Sequence, residues 1–303
     1  MLTQITNITS AAPVHHHADP RVSLLRGIWT KLQSSLRLLQ FDQSVDGVHE
    51  VRANARRLRA LLRCMRKEMQ PLLCAQLQFD LTGLSRDLAD VRNADTQLRW
   101  LRELSSATRH LKTQDMLTTI TLGERRSVAA RRSLLQRMSK PVWNARSARI
   151  EHALSDPELL LRPDRLARDI FGSLFRTELK HTARALRGRQ SSDRSLHKQR
   201  IRVKNARYVL EELRPQVQYD AASELQKLNR AQDVLGDVHD LQLLTTWLQH
   251  TPIPHTLQRP LFARIRKTED KFKAAFRRFR PKLRKHVRKA ARNFDRAVSQ
   301  AEA

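Results

Sequence analysis

Five basic positions in one stretch, His49, Arg52, Arg56, Arg59 and Arg63, step along the chain by threes and fours. On a helix of 3.6 residues per turn, that spacing sets them in a single row on one face. The row spans fourteen residues, roughly 21 Å, with successive cations roughly 5 Å apart. A ladder of that length suits a linear polyanion better than a single phosphate. Arginine suits phosphate oxygens because its guanidinium donates hydrogen bonds in a fixed fork. Binding of this kind should weaken steeply with salt, since phosphate neutralisation releases counterions. It should strengthen as pH falls through about 6.5, where histidine becomes cationic.

The element that carries the row is a helix over Val48–Arg63, free of Pro and rich in Arg, Leu and Ala. Val48, Val51, Ala55, Leu58 and Leu62 form an apolar stripe, and the basic row lies about 100° away from it. Acids would ordinarily partner such arginines at i,i+4, yet Glu50 is the only one between Val48 and Lys67. Ser44 or Asp46, in the turn Asp42–Gly47, can cap this helix.

The same pattern returns. An offset of 148 carries His49, Arg52, Arg56 and Arg59 to His197, Arg200, Lys204 and Arg207. An offset of 147 carries Leu88-Ala89-Asp90-Val91 to Leu235-Gly236-Asp237-Val238, and Trp100-Leu101 to Trp247-Leu248. Each histidine falls near the start of its helix, where the positive end of the helix dipole disfavours a cation unless an anion sits there too. Two related helical bundles about a pseudo-twofold axis would set the two ladders face to face across a cleft. Further bases rank lower as contributors: Arg57, Arg125, Arg126, Arg131, Arg132, Arg137, Arg202, Lys271, Lys273, Arg277, Arg278 and Arg280.

Helical periodicity runs through the rest of the chain. Leu24 to Leu39 forms one stripe ending near Phe41, and Pro71 opens a run that continues to Leu101. Another run follows Gly123, from Arg125 toward Leu154. Ser155-Asp156-Pro157 and Leu161-Arg162-Pro163-Asp164 mark a seam. Beyond it come Leu166–Leu186, Leu196–Leu210, Leu225–Trp247 and, after Thr251-Pro252-Ile253-Pro254, Leu261–Val298 with a kink expected at Pro281. No stretch alternates with the period of a strand, so the chain reads as all-α: a tail over 1–20, a first bundle over 21–155 and a second over 164–298.

Composition narrows the classes. The 303 residues carry 58 Lys and Arg against 30 Asp and Glu, a formal charge of +28. Seven Gly disfavour glycine-loop phosphate folds. Cys64 and Cys74 cannot build a disulfide framework and read as reduced thiols of a reducing, cytoplasmic compartment. No apolar run approaches the eighteen or so residues of a membrane span, and residues 1–20 lack the form of a secretory signal. His15, His16 and His17 read as part of a polar tail rather than a metal site. No cofactor or metal is expected.

The paired pattern His-x-x-Arg-x-x-x-Arg/Lys-x-x-Arg resembles the conserved histidine α-helical domain (CHAD) family, and Leu235, Gly236 and Asp240 resemble its later Leu-Gly-x-x-x-Asp segment. The likeness covers roughly Arg21 to Arg296. It departs at Gln199, at Asn205-Ala206 and at Ala89 opposite Gly236. The resemblance implies two four-helix bundles around a basic channel that binds inorganic polyphosphate, and it is compatible with association with polyphosphate granules. It carries no oligomeric state.

Two other classes compete. The charge would suit a nucleic-acid binder, but 5% aromatic residues with two Tyr offer few platforms for stacking bases, which leaves weak, non-specific binding. A phosphoryl-transfer enzyme needs metal-holding carboxylates or an activated nucleophile. Asp233, Asp237 and Asp240 share one helix face and are the only cluster of that kind; they read better as partners of basic side chains, so the expectation is a binding protein and not an enzyme.

Overall fold

The structure, a computed structural model, describes residues 19–41, 44–156, 160–161, 167–187, 192–217 and 219–301. The tail, with its three histidines, lies outside the described residues save for its last two positions. Helices dominate: α1 (Pro20–Phe41), α2 (Val45–Cys64), α3 (Pro71–Asp87), α4 (Ala89–Ser106), α5 (Gln114–Met138), α6 (Pro141–Ser155), α7 (Ala167–Ala185), α8 (Asp193–Leu213), α9 (Ala222–Gln249) and α10 (His255–Ala301). Among the described residues the only β feature is an isolated bridge between Met69 and Leu161. The chain is all-α.

Local chemistry sets the boundaries. Ser44 caps α2, its Oγ accepting from the Gly47 N–H at 3.0 Å. Ser192, 148 positions on, caps α8 in the same way from Ser195 N–H at 3.3 Å. Pro71 and Pro141 open α3 and α6 at N1, where a missing N–H costs nothing. Three expectations are corrected. The run from Pro71 to Leu101 is two helices, broken at Leu88. The helix expected after Gly123 begins at Gln114, because Thr113 caps it by accepting from Met116 N–H at 3.2 Å; it ends at Met138, and α6 is separate. The last helix begins at His255, ahead of the expected Leu261, and holds both Pro260 and Pro281 within it.

Neighbours in sequence pack in space. α2 lies on α1 and α3, α3 on α6, and α4 on α5; in the later half α8 lies on α7 and α9, while α10 covers α7 and α9. The broadest contacts between the halves are α2 with α8 and α4 with α9, and α10 also touches α5. The interior follows these contacts rather than the seam near residue 156. The larger apolar cluster takes Leu25, Leu58, Leu62 and Leu84 together with Phe175, Val203, Leu210 and Phe276. The smaller joins Trp100, Leu101, Leu104 and Met116 to Leu241, Leu244, Leu248 and Leu261. Burying one large side chain such as Trp29 or Phe175 contributes about 1.5–3 kcal/mol, so the halves stabilise one another through many such residues. No helix is long and apolar enough to cross a membrane among the described residues.

Candidate functional site

The packing of α2 on α8 decides what the two basic rows can do. Arg63 Nη2 donates to Asn205 Oδ1 at 3.1 Å, and Arg57 lies 3.6 Å from Glu211. An offset of 148 carries position 57 to 205 and position 63 to 211, so both contacts join the same two repeat positions with the helices interchanged. That exchange is the mark of an isologous contact. It sets Arg56 and Lys204, themselves 148 apart, on the common seam. Arg52, Arg56 and Arg59 from α2 and Arg200 from α8 all press on Lys204, and Arg56 presses on both Arg52 and Arg200.

Buried cations normally acquire carboxylates, and several arginines beside the seam have done so. Arg57 reaches Glu212 at 3.3 Å, Arg202 reaches Glu178 at 2.8 Å, and Arg131 reaches Asp95 at 2.7 Å. Among the described residues, Arg52, Arg56, Arg59, Arg63, Arg200 and Lys204 have no carboxylate within 4.0 Å. What they do reach is neutral. Arg52 Nη1 donates to the Ser85 carbonyl at 3.3 Å and Arg59 Nη1 to Ser85 Oγ at 3.5 Å, while the Nε of each is buried without an acceptor.

The cost shows in the titration of the cluster. Burial, reinforced by Arg56 and Arg92, pushes Arg52 down to about 9. Burial pushes Arg200 down to about 10 against the pull of Asp240. Both guanidiniums stay charged at neutral pH. Lys204 does not hold as well: burial, with Arg56, Arg200, Arg52 and Arg59 around it, pushes its ammonium down to about 6. Burial and then Arg56, Arg52 and Arg92 lower His49 as well. His49 and His197, each five residues past its capping serine, keep part of their surface open to solvent, with His49 beside Arg52, Arg56 and Arg92 and His197 beside His239. His197 stacks obliquely on His239, their ring centroids 5.7 Å apart.

Two members escaped the reading of the sequence. Arg92 on α4 acts on His49, Arg52, Arg200 and His239. His239 on α9, lowered to about 3 by burial and then by Arg200, Arg92, His197 and Lys204, lies within the same group. The signal was present: the 147 offset that aligns Leu88–Val91 with Leu235–Val238 carries Arg92 to His239. Arg92 is steadied by Asp240 at 2.5 Å. That contact places Asp240, and Arg99 beside Asp237 at 3.7 Å, in the role of carboxylates that orient cations. Asp237, raised to about 6 mainly by burial, has Arg99 as its partner, and Asp233 is exposed. No group of three metal-ligating side chains occurs among the described residues.

The other nominated bases divide. Arg207 leaves the row: Gln232 holds its Nε at 2.9 Å, Glu211 lies 3.2 Å away, and its guanidinium covers the Tyr208 ring at 4.2 Å. Arg126 donates to Gln97 Oε1 at 2.6 Å and lies over Trp247. Arg137 approaches Asp87 and Asp90. Lys273 is taken by Asp193 at 2.6 Å and Glu269 at 2.7 Å. Arg125, Arg132, Lys271, Arg277 and Arg278 are exposed, and Arg280 is half-buried. At the far end of the α2 row, cavities of about 560 and 700 Å³ open on either side of Arg63. The first is bordered by α3 and Arg146, the second by α7 and α8.

Of the departures noted in the sequence, Gln199 is buried with its Oε1 unpartnered. A methyl group at Gly236 would meet nothing within 4 Å, so Ala89 at the equivalent place is tolerated.

A family model for the CHAD domain matches residues 24–249. The chain is similar to the crystal structure of the CHAD domain from the plant Ricinus communis, with a TM-score of 0.64 and 19% identity over 89% of this chain and 90% of that one. It is also similar to PptA from Streptomyces chartreusis, with a TM-score of 0.56 and 19% identity over 92% of this chain and 98% of that one. Among curated proteins no relative matches. The two structures establish a shared fold.

Proposed function

This chain belongs to the CHAD domain family, and from that premise we propose that its seam between α2 and α8 binds inorganic polyphosphate. One observation carries the reading: six cations, Arg52, Arg56, Arg59, Arg63, Arg200 and Lys204, converge with no carboxylate within 4.0 Å among the described residues, whereas Arg57, Arg92, Arg202 and Arg207 beside them each have one. Like charges gathered at low dielectric repel strongly, and such a cluster is relieved when an external anion supplies the missing charge. A linear chain with one negative charge per unit matches a long row of cations. Arg92, His49, His197 and His239 extend the surface that the ligand would meet. We assign the protein a binding role without catalysis, in the cytoplasm, with residence on polyphosphate granules as its consequence. The pseudo-twofold bundle arrangement belongs to the same proposal, supported by the exchanged contacts of Arg57 and Arg63.

The overall charge of +28 favours one competing reading, loose association with nucleic acid. Competition separates them. Long-chain polyphosphate should displace a labelled single-stranded oligonucleotide at matched phosphate concentration. Equal retention of the oligonucleotide overturns the polyphosphate reading. Replacing Arg52, Arg56, Arg200 and Lys204 together with Ala should abolish polyphosphate binding while leaving the helical circular dichroism intact.

A further inference from the structure

We propose that the cationic seam closes on its polyanion by taking up a proton, and that Lys204 Nζ is the atom that receives it. The inference rests on the polyphosphate reading and adds to it a chemical event that the ladder alone would not require. The geometry comes first. Lys204 sits half-buried on the α2–α8 seam, opposite its own repeat equivalent. From α2 it faces Arg52, Arg56 and Arg59; from its own helix it faces Arg200; from α9 it faces His239. The acids of the packed elements are already engaged, Asp240 of α9 by Arg92 and Glu178 of α7 by Arg202.

Four guanidiniums and one amine thus share a space that no carboxylate of the described residues enters. Guanidinium keeps its proton in any such setting, whereas an amine gives its proton up when burial and repulsion demand it. Lys204 is therefore the weakest holder of charge among the five, consistent with its fall to about 6. Before a polyanion binds, its Nζ is a neutral amine near neutral pH. When phosphoryl oxygens arrive, their negative charge reverses the local potential, and Nζ takes a proton from water or buffer to become an ammonium. His239, lowered further still, holds the next place in that order. Linkage then requires affinity to rise as pH falls, by up to about tenfold per pH unit for one proton. The gain should level off near pH 6, where Lys204 is charged before the ligand arrives.

The test is titration calorimetry of the full chain with long-chain polyphosphate at pH 7.5, in buffers of different ionisation enthalpy. Internal phosphate units carry no proton there, so the slope of heat against buffer enthalpy counts protons taken up by the protein. We expect close to one proton per occupied seam in the native chain. We expect a value near zero in Lys204→Arg, whose guanidinium is charged from the start. Lys204→Gln supplies the same loss should Lys204→Arg fold poorly. Binding with no proton uptake by the native chain overturns the proposal, as does undiminished uptake in both variants. Absence of any polyphosphate binding is a different result and overturns the functional reading itself.

Discussion

At the scale of single residues, the decisive property is which cations have been left without an acid. Arg57, Arg202 and Arg207 carry the same guanidinium as Arg52 and Arg200, yet Glu211, Glu212 and Glu178 pair with them. The prediction is a sharp asymmetry between substitutions of equal chemistry. Arg56→Ala or Arg200→Ala should weaken polyphosphate binding by about 1.5–3 kcal/mol, the range for a hydrogen bond to a charged group. Arg277→Ala, on an exposed face, should change it by less than about 0.5 kcal/mol. Binding isotherms at one salt concentration compare them directly. Lys204 yields a stability prediction of opposite sign. Its folded value near 6 lies below its ordinary value, so the unfolded chain binds more protons between about pH 6 and 10.5. Stability of the free protein should therefore rise with pH across that window. Lys204→Met should flatten the rise and stabilise the protein near neutrality by ~1 kcal/mol, seen as a higher melting temperature. Thermal melts of both proteins from pH 6 to 9 check the sign.

At the scale of elements, the two site helices are twins in their boundaries as well as their charges. Ser44 and Ser192 occupy equivalent caps, and each sets its histidine five residues downstream. Removing either hydroxyl, as in Ser44→Ala, should lower stability by about 1 kcal/mol, measured by denaturant midpoint. Because α2 and α8 both contribute, salt dependence should report both. Log affinity should fall with log salt at a slope of about −0.7 for each phosphate neutralised on a single-stranded chain. An Arg56→Ala, Arg200→Ala double variant should lose about 1.4 units of that slope, whereas a variant confined to the exposed Arg125 and Arg132 should lose almost none.

At the scale of the molecule, the two apolar clusters tie first-half helices to second-half helices. Trp100 shows it. It lies in the smaller cluster with Leu241 and Leu244, and its ring meets Phe272 edge-on at 6.0 Å. Trp100→Ala should destabilise the whole protein by about 3–5 kcal/mol. Unfolding should remain one cooperative transition, followed by calorimetry, rather than split into two halves. Polyphosphate should shift that single transition upward in proportion to the logarithm of its concentration.

The amino-acid sequence by itself determined the helical class, the presence of two matched basic rows and their chemical suitability for a polyanion, because helical period and charge are properties of residues close together along the chain. Its periodicity also located α2 and α8 to within a few residues. It missed the break at Leu88 and the early start of α5, where single-residue turns and caps override a smooth apolar period. Only the tertiary structure decided which bases remain unpaired. Arg207 fits the row by spacing, but Glu211 and Gln232 hold it aside, and the crossing of α4 with α9 brings Arg92 and His239 in. The reason is physical. Burial and ion pairing depend on which helices touch, and a residue's charge becomes a binding feature only when folding leaves it without a partner of its own.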